Sequence, residues 1–259
     1  MRKTFRSSNN KEYWTDRWIN IETDDEMIDT KSYPLRCTLK AISYQKNQQS
    51  ILEAGCGAGR ILKYLHNKDY NVTGIDFIKE AIVKIQNENK NIKADTANIL
   101  KTNFKESNFD TILAFGLYHN FEIENVKKAF SETFRILKKG GILCFSFRAD
   151  NLQNLILDKF KSKKKEQNEN FHKLNLTEKE IINILKSFDL EVLDKEYIVN
   201  MPLLYQFKIF RSKNQKKFNE HIGRRDGYKL NFFGNFIHKF LYFFFPRNYC
   251  NVFVFYVKK

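Results

Sequence analysis

Apolar positions recur at helical spacing in "KEYWTDRW" and in "YPLRCTLKAI", which predicts two helices near the start of the chain. From Ser50 onward the pattern changes to short apolar runs alternating with amphipathic stretches. "SILEA" predicts a strand, "GRILKYLHN" a helix, "NVTGID" a strand and "IKEAIVKIQNE" a helix, with further strands at "NIKAD" and "FDTILAF". A long helix follows in "IENVKKAFSETFRILKK", which Gly140 and Gly141 are expected to close ahead of the buried strand "ILCFSF". "LTEKEIINILKSF" opens with Thr177 and Glu180 at capping-box spacing, and the strands "LEVLDKEYIV" and "NVFVFYV" complete a set of seven. Strands alternating with helices predict an α/β fold with a doubly wound, mainly parallel sheet.

Two regions depart from that rhythm. The charged run at 161–170, "KSKKKEQNEN", reads as an exposed loop. The segment 200–249 holds ten Lys or Arg against two acidic residues, a balance of +8, together with 14 of the 39 aromatic residues. Within it "FFGNFIHKFLYFFF" places Phe233, Phe236, Ile237, Phe240, Leu241 and Phe244 on one helical stripe, shorter than the roughly 20 residues a bilayer span requires. That length suits an interfacial or substrate-covering helix, or one that simply packs on the domain.

At 259 residues the chain can form one large domain with an elaboration, and 42% hydrophobic content supplies its core. The net charge of +15 invites an acidic partner, although Lys, Asn, Ile and Phe are abundant throughout, a bias that AT-rich codons produce without any ligand. Cys37, Cys56, Cys144 and Cys250 lack paired or metal-ligand spacing, so neither a metal site nor a disulfide framework is expected. The basic start has no apolar stretch behind it, which argues against a secretory signal and for a cytoplasmic setting.

The candidate chemistry lies in "EAGCGAGR". A strand, a glycine-rich turn and a helix set backbone N–H groups against a ligand at the carboxyl edge of a sheet. Here Gly55, Gly57 and Gly59 come in a tighter spacing than the dinucleotide fingerprint, and Arg60 stands where that fingerprint needs a small residue. Asp76 ends the second strand of the alternating series, where a carboxylate can accept from both hydroxyls of a ribose; Asp95 and Thr96 end the next; Glu53 precedes the turn.

These motifs resemble the class I S-adenosylmethionine-dependent methyltransferases, especially small-molecule members of the type that methylates quinone precursors. The resemblance runs from Glu12 to Lys195 through "EAGCGAGR", "GID", "KADTANI", "FDTILAFGLYHNF" and "RILKKGGILCFSF". It implies a Rossmann-like seven-stranded sheet, with an N-terminal helical lid at 1–48, a cofactor-binding domain at 49–199, a basic aromatic helical insertion at 200–249 and the final strand at 250–259. It implies S-adenosylmethionine contacts from Glu53, Gly55, Cys56, Gly57, Gly59, Asp76, Phe77, Asp95, Thr96 and Phe115. Arg36 resembles an arginine that pairs with the methionine carboxylate, the alternative being a solvated helix residue. His119 stands where relatives carry a histidine facing the methyl group, either as a catalytic base or as a residue that packs the loop; Asn120 replaces a second histidine. Tyr13 and Trp14 can close as a lid or belong to the core.

The expected function is methyl transfer to a small-molecule or lipid-like acceptor, with no metal. The "AFGLYHNF" that ends the fourth strand of the series lacks the Asp/Asn-Pro-Pro-Tyr/Phe sequence of enzymes that methylate base amino groups, which disfavours nucleic acid. Peripheral contact with an anionic membrane is expected from 200–249. The competing classes are a non-catalytic RNA- or membrane-binding protein on the same fold and a nucleotide-dependent oxidoreductase.

Overall fold

The computed structural model describes residues 1–20, 30, 31, 33–45, 49–161, 170–188, 190–213 and 228–259. Most of the loop expected at 161–170, and the middle of the 200–249 segment, lie outside the described residues.

Seven strands form the main sheet in the order β4-β3-β2-β5-β6-β9-β8. They are β2 (Ser50–Ala54), β3 (Asn71–Asp76), β4 (Ala94–Thr96), β5 (Phe109–Ala114), β6 (Leu137–Arg148), β8 (Glu191–Ile198) and β9 (Val252–Lys258). The β4-to-β6 half is parallel, whereas β9 runs antiparallel to both neighbours. This is the mainly parallel, Rossmann-like sheet that the alternation predicted.

Both faces are covered, and the period-two alternation of the strands sorts side chains between them. Leu52, Ile112, Ala114, Leu143, Phe145 and Phe255 join α5 (Ile123–Ile136) and α7 (Glu178–Lys186) on one face. Ile51, Leu113, Ile142, Cys144, Val254 and Tyr256 join α2 (Leu35–Ser43), α3 (Arg60–His66) and α4 (Lys79–Glu88) on the other. The capping box forms as expected: the Thr177 side chain accepts from the Glu180 N–H, and the Glu180 carboxylate accepts from the Thr177 N–H at 2.8 Å.

Three elements differ from the sequence reading. Residues Arg2–Arg6, expected as a polar leader, form β1, which pairs antiparallel with β7 (Asn170–Asn175) in a separate ribbon. Both strands carry mostly polar, half-exposed residues, so neither produces an apolar signal. Helix α6 (Leu152–Lys161) also escaped the pattern. Gly140 and Gly141 do not cap α5. The chain passes directly from Ile136 into β6, and Gly140, at φ +76°, sits in an irregular stretch of that strand, where its N–H donates to the Lys259 carbonyl at 2.7 Å.

α1 (Asn10–Asn20) lies over the carboxyl edge of the sheet, and α8 (Phe232–Phe244) precedes the final strand. α8 is capped by Asn231, whose side chain accepts from the Gly234 N–H at 2.8 Å.

Candidate active site

The turn between β2 and α3 is held from β3. Gly55 and Cys56 N–H groups both donate to the Ile75 carbonyl, at 2.8 and 3.0 Å. Gly57 N–H donates to Asp76 Oδ2 at 2.9 Å, while Asp76 Oδ1 accepts from the Ile78 N–H at 3.0 Å. Gly57 has φ +51°, a region L side chains rarely enter, and a Cβ there would run into the Trp18 ring. Gly59 caps α3 at φ +76° against Ile85. The tight glycine spacing therefore has a local cause: left-handed glycines at the alternate positions 55, 57 and 59 fold the turn onto the end of β3.

The register of the sheet gathers the acidic residues. Asp76 pairs across from Thr96 and Ile75 from Asp95, so the ends of β3 and β4 lie side by side; Glu53 pairs with Gly74 on one side and Leu113 on the other. Asp95 and Thr96 are exposed, and Phe77, directly after Asp76, is 40% exposed. Phe115 follows β5 and meets Tyr33 edge to face at 5.7 Å. Cys56 is buried beneath the turn against the Gly74 backbone, and burial pushes its thiol well above the usual range, so it serves as a small packing residue and not as a nucleophile.

Two carboxyls at this edge are perturbed. Burial pushes Glu53 up to about 8, helped by the nearby Asp76 charge and opposed by the Leu62 N–H. Burial also raises Asp76, against the N–H donors of Ile78, Gly57 and Phe77. Glu53 Oε2, His119 Nδ1 and Asn120 Oδ1 are buried with no hydrogen-bond partner. Such orphaned groups fit a site whose remaining donors and acceptors come from a ligand. The residues therefore fit a nucleoside-bearing cofactor: a glycine turn for close backbone approach, a strand-end carboxylate, and unmet polar atoms beyond it.

His119 belongs to the 3-10 turn Tyr118–Asn120 after β5 and is 7% exposed, edge to face with Phe147 at 6.2 Å. Burial holds it well below the ordinary imidazole range, with Lys173, Arg148 and His172 adding positive charge of the same effect. Its loop is pinned twice. The Asn120 side-chain amide donates to the Gly116 and Leu117 carbonyls, and the Asn10 amide donates to the Asn120 carbonyl at 2.9 Å.

Arg36 is placed elsewhere. Its Nη2 lies 2.5 Å from Glu196 Oε2 on β8, beside a Lys40 contact with the same carboxylate, rather than at the glycine turn. Of the α1 aromatics, Trp18 has its ring against Gly57 of the turn, and it stacks on Trp14 at 5.5 Å. Sequence reasoning missed Trp18, Tyr33 and Asn10. Trp14 and Trp18 one helical turn apart were the available signal for the first, but periodicity alone does not say which surface a stripe covers. Among the described residues no cluster could hold a metal ion, and no helix is long and apolar enough to cross a membrane.

Residues 52–145 match the family model of a methyltransferase domain. The chain is 27% identical over 155 residues to phosphoethanolamine N-methyltransferase 3 of Arabidopsis thaliana, covering 54% of this chain and 32% of that protein. It is 26% identical over 205 residues to the tRNA N(3)-methylcytidine methyltransferase trm140 of Schizosaccharomyces pombe, covering 70% of this chain and 65% of that one. The chain thus spans less than two thirds of either relative. A crystal structure of a SAM-dependent methyltransferase from Methanosarcina mazei shares the fold at a TM-score of 0.57 and 20% identity, over 88% of this chain and 98% of that one. Residues 52–145, which hold the turn together with its partners in β3 and β4, are thus similar to a methyltransferase domain, and the chain shares the Rossmann-like fold of that structure.

Proposed function

We propose that this protein transfers a methyl group from S-adenosylmethionine to a small-molecule or lipid-like acceptor. The observation that carries the reading is the flat glycine turn bonded to Asp76, with Thr96 in register beside it. Asp76, with one oxygen on each of two backbone donors, keeps lone pairs for the ribose hydroxyls; Glu53, Gly55, Gly57 and Gly59 line the approach; Asp95, Thr96, Phe77 and Phe115 take the adenine side. When bound, the cofactor supplies a methyl group already activated by its sulfonium. The chain's task is then alignment and exclusion of water, for which the pinned loop at His119 and the aromatic residues of α1 are suited.

His119, kept neutral by burial, offers an unpaired Nδ1 that can accept a hydrogen bond from an acceptor's hydroxyl or amine and so orient it. Lys173 and Arg148, the latter also paired with Asp158, add positive charge beside it and favour an acceptor that carries negative charge. The likeness to a phosphoethanolamine methyltransferase agrees with that chemistry. Peripheral contact with an anionic membrane, in a cytoplasmic setting, belongs to the same proposal. Arg36 stays a candidate for the methionine carboxylate only if it leaves Glu196.

A second reading, methylation of RNA, is favoured by the likeness to a tRNA methyltransferase and by the net charge of +15. Incubation of the purified chain with a cell extract and methyl-labelled S-adenosylmethionine separates the two. Label in the organic or small-molecule fraction supports the proposal, and label in RNA supports the second reading. Calorimetry with S-adenosylhomocysteine and NAD tests the cofactor: tighter binding of NAD would overturn methyl transfer altogether.

A further inference from the structure

A helix that belongs to a core turns its large apolar residues inward, and α8 does the reverse. Phe232, Phe233, Phe236, Phe240, Phe243 and Phe244 are between 52% and 89% exposed. At the helical repeat these six positions fall within an arc of about 120°, and no other residue of α8 lies in it. The opposite side is the one that packs: Gly234 sits against Phe210, and Leu241 joins Leu157, Leu203 and Tyr249. Ile209 and Phe245, also exposed, border the helix. The sequence stripe was thus only partly a packing face.

We propose that this arc of α8 is a docking surface for an anionic lipid membrane, lying in the plane of the interface with its phenylalanines among the acyl chains. Charge complementarity selects this occupant. Lys239 stands on α8 about 20° from Phe232 and Lys208 lies on the turn that packs against α8, both exposed, while Arg247, which follows the helix, is exposed and paired with Glu178. A basic rim around an apolar face matches anionic headgroups above an acyl layer. Thirteen residues make a helix of about 20 Å, too short for a hydrocarbon core of about 30 Å, so it lies along the surface.

The other occupants fit less well. A second copy meeting this face symmetrically would bring the same basic rim against itself. A nucleic acid calls for cations interleaved with stacking rings along a groove, whereas the α8 arc holds six phenylalanines and no cation. Position adds a reason. The Tyr242 hydroxyl donates to the Tyr197 carbonyl near the end of β8, and the Asn151 amide, just past β6, donates to the Arg247 and Cys250 carbonyls. α8 therefore sits at the carboxyl edge of the sheet, the edge that also carries the glycine turn and His119. Docking there would turn the candidate acceptor side toward the bilayer, which deepens the lipid-like reading of the acceptor and rests on that reading for its purpose, though not for its test.

The test is co-sedimentation of the full chain, without cofactor or acceptor, with vesicles of phosphatidylcholine containing about 30% phosphatidylserine and with phosphatidylcholine alone. Binding to the anionic vesicles is expected to exceed binding to the neutral ones by at least about tenfold, and to weaken but persist as salt rises. The triple substitution Phe236→Asp, Phe240→Asp and Phe243→Asp should abolish binding while leaving the melting temperature in place, since these side chains are exposed. Lys208→Glu with Lys239→Glu should erase the preference for anionic lipid. Absence from both pellets, unchanged binding by the triple variant, a dimer that this variant dissociates, or RNA binding that depends on the same phenylalanines would each overturn the proposal. Methyl transfer is measured separately, so its presence or absence does not decide the result.

Discussion

Phenylalanine does opposite work in two parts of this molecule. Phe145, Phe147, Phe253 and Phe255 on β6 and β9 are at most 1% exposed, with Phe145 stacked on Phe255 at 5.4 Å and edge to face with Phe130 of α5 at 5.2 Å. The six phenylalanines of the α8 arc are more than half exposed. Local hydrophobicity does not distinguish the sets, since both strands and helix are rich in the same residue. What differs is the layer available: α5 and α7 cover the strand face, while α8 has its packing side on the turns Leu203–Gln206 and Lys208–Phe210 and turns its other side outward. Burial is thus decided by whether a second layer exists, and an apolar face without one points to an external partner.

Truncation is the largest way to break that contrast. Phe145→Ala should cost about 3 to 5 kcal/mol, from lost transfer energy and the cavity left among Tyr118, Phe130 and Phe255. Phe243→Ala should lie within about 0.5 kcal/mol of the parent. Urea denaturation of both variants measures the difference. Equal losses would mean that α8 is covered in solution and that the two sets are not distinct.

The same contrast separates the ligand-facing carboxylate from the rest of the edge. Asp76→Ala removes an acceptor from the proposed ribose site and from two backbone donors. Calorimetry should show cofactor binding weaker by about 2 to 4 kcal/mol, as for a lost charge-assisted pair. Vesicle binding through α8 should be unchanged. Normal cofactor affinity in a folded variant would remove Asp76 from the site.

The legibility of the chain follows the same division. The β2-to-β5 region could be read because buried parallel strands give apolar runs and the turn needs glycine, so pattern and structure coincide at "SILEAGCGAGR". The β1–β7 ribbon could not, because its strands are mostly polar and its pairing joins residues 2–6 to 170–175, which no local signal encodes. Gly140 and Gly141 misled for a related reason: glycine after a helical stripe suits a C-cap and a strand irregularity equally, and only the Lys259 carbonyl, far away in sequence, decides between them. Arg36 and Trp18 show the same limit. Each helix was predicted, but which neighbour its side chains meet depends on tertiary packing: Glu196 for the first, Gly57 for the second.

A smaller effect concerns Glu53. Because burial raises its carboxyl to about 8, the folded chain holds a proton that the unfolded chain releases at lower pH. Its linkage therefore makes stability highest below the ordinary Glu range and lowers it as pH climbs toward about 8, and Asp76, also raised, acts in the same sense. Glu53→Gln should flatten that decline by about a few degrees of melting temperature between pH 5 and pH 8. A decline of the same slope in the variant would mean that Glu53 is ionised in the folded protein. Since α8 carries no such buried acid, the Phe243→Ala variant should keep the parent slope.

The smallest effect is expected at Trp18, where the two regions meet in kind: an aromatic ring on an amphipathic helix, here with its face over a backbone cradle. Gly57 has no side chain, and the space its Cβ would take is filled by the Trp18 ring. A ligand that approaches the Gly57 backbone must displace that ring, so the ring competes with the ligand for the same surface. Trp18→Ala should then tighten S-adenosylhomocysteine binding by about two- to threefold, less than 1 kcal/mol, because less contact is lost on entry. The parent's tryptophan emission should shift to the red as the ring moves toward water. Weaker binding by the variant, with no shift in the parent, would show instead that the ring closes over the bound cofactor, and α1 would then act on the turn as the second layer that α8 lacks.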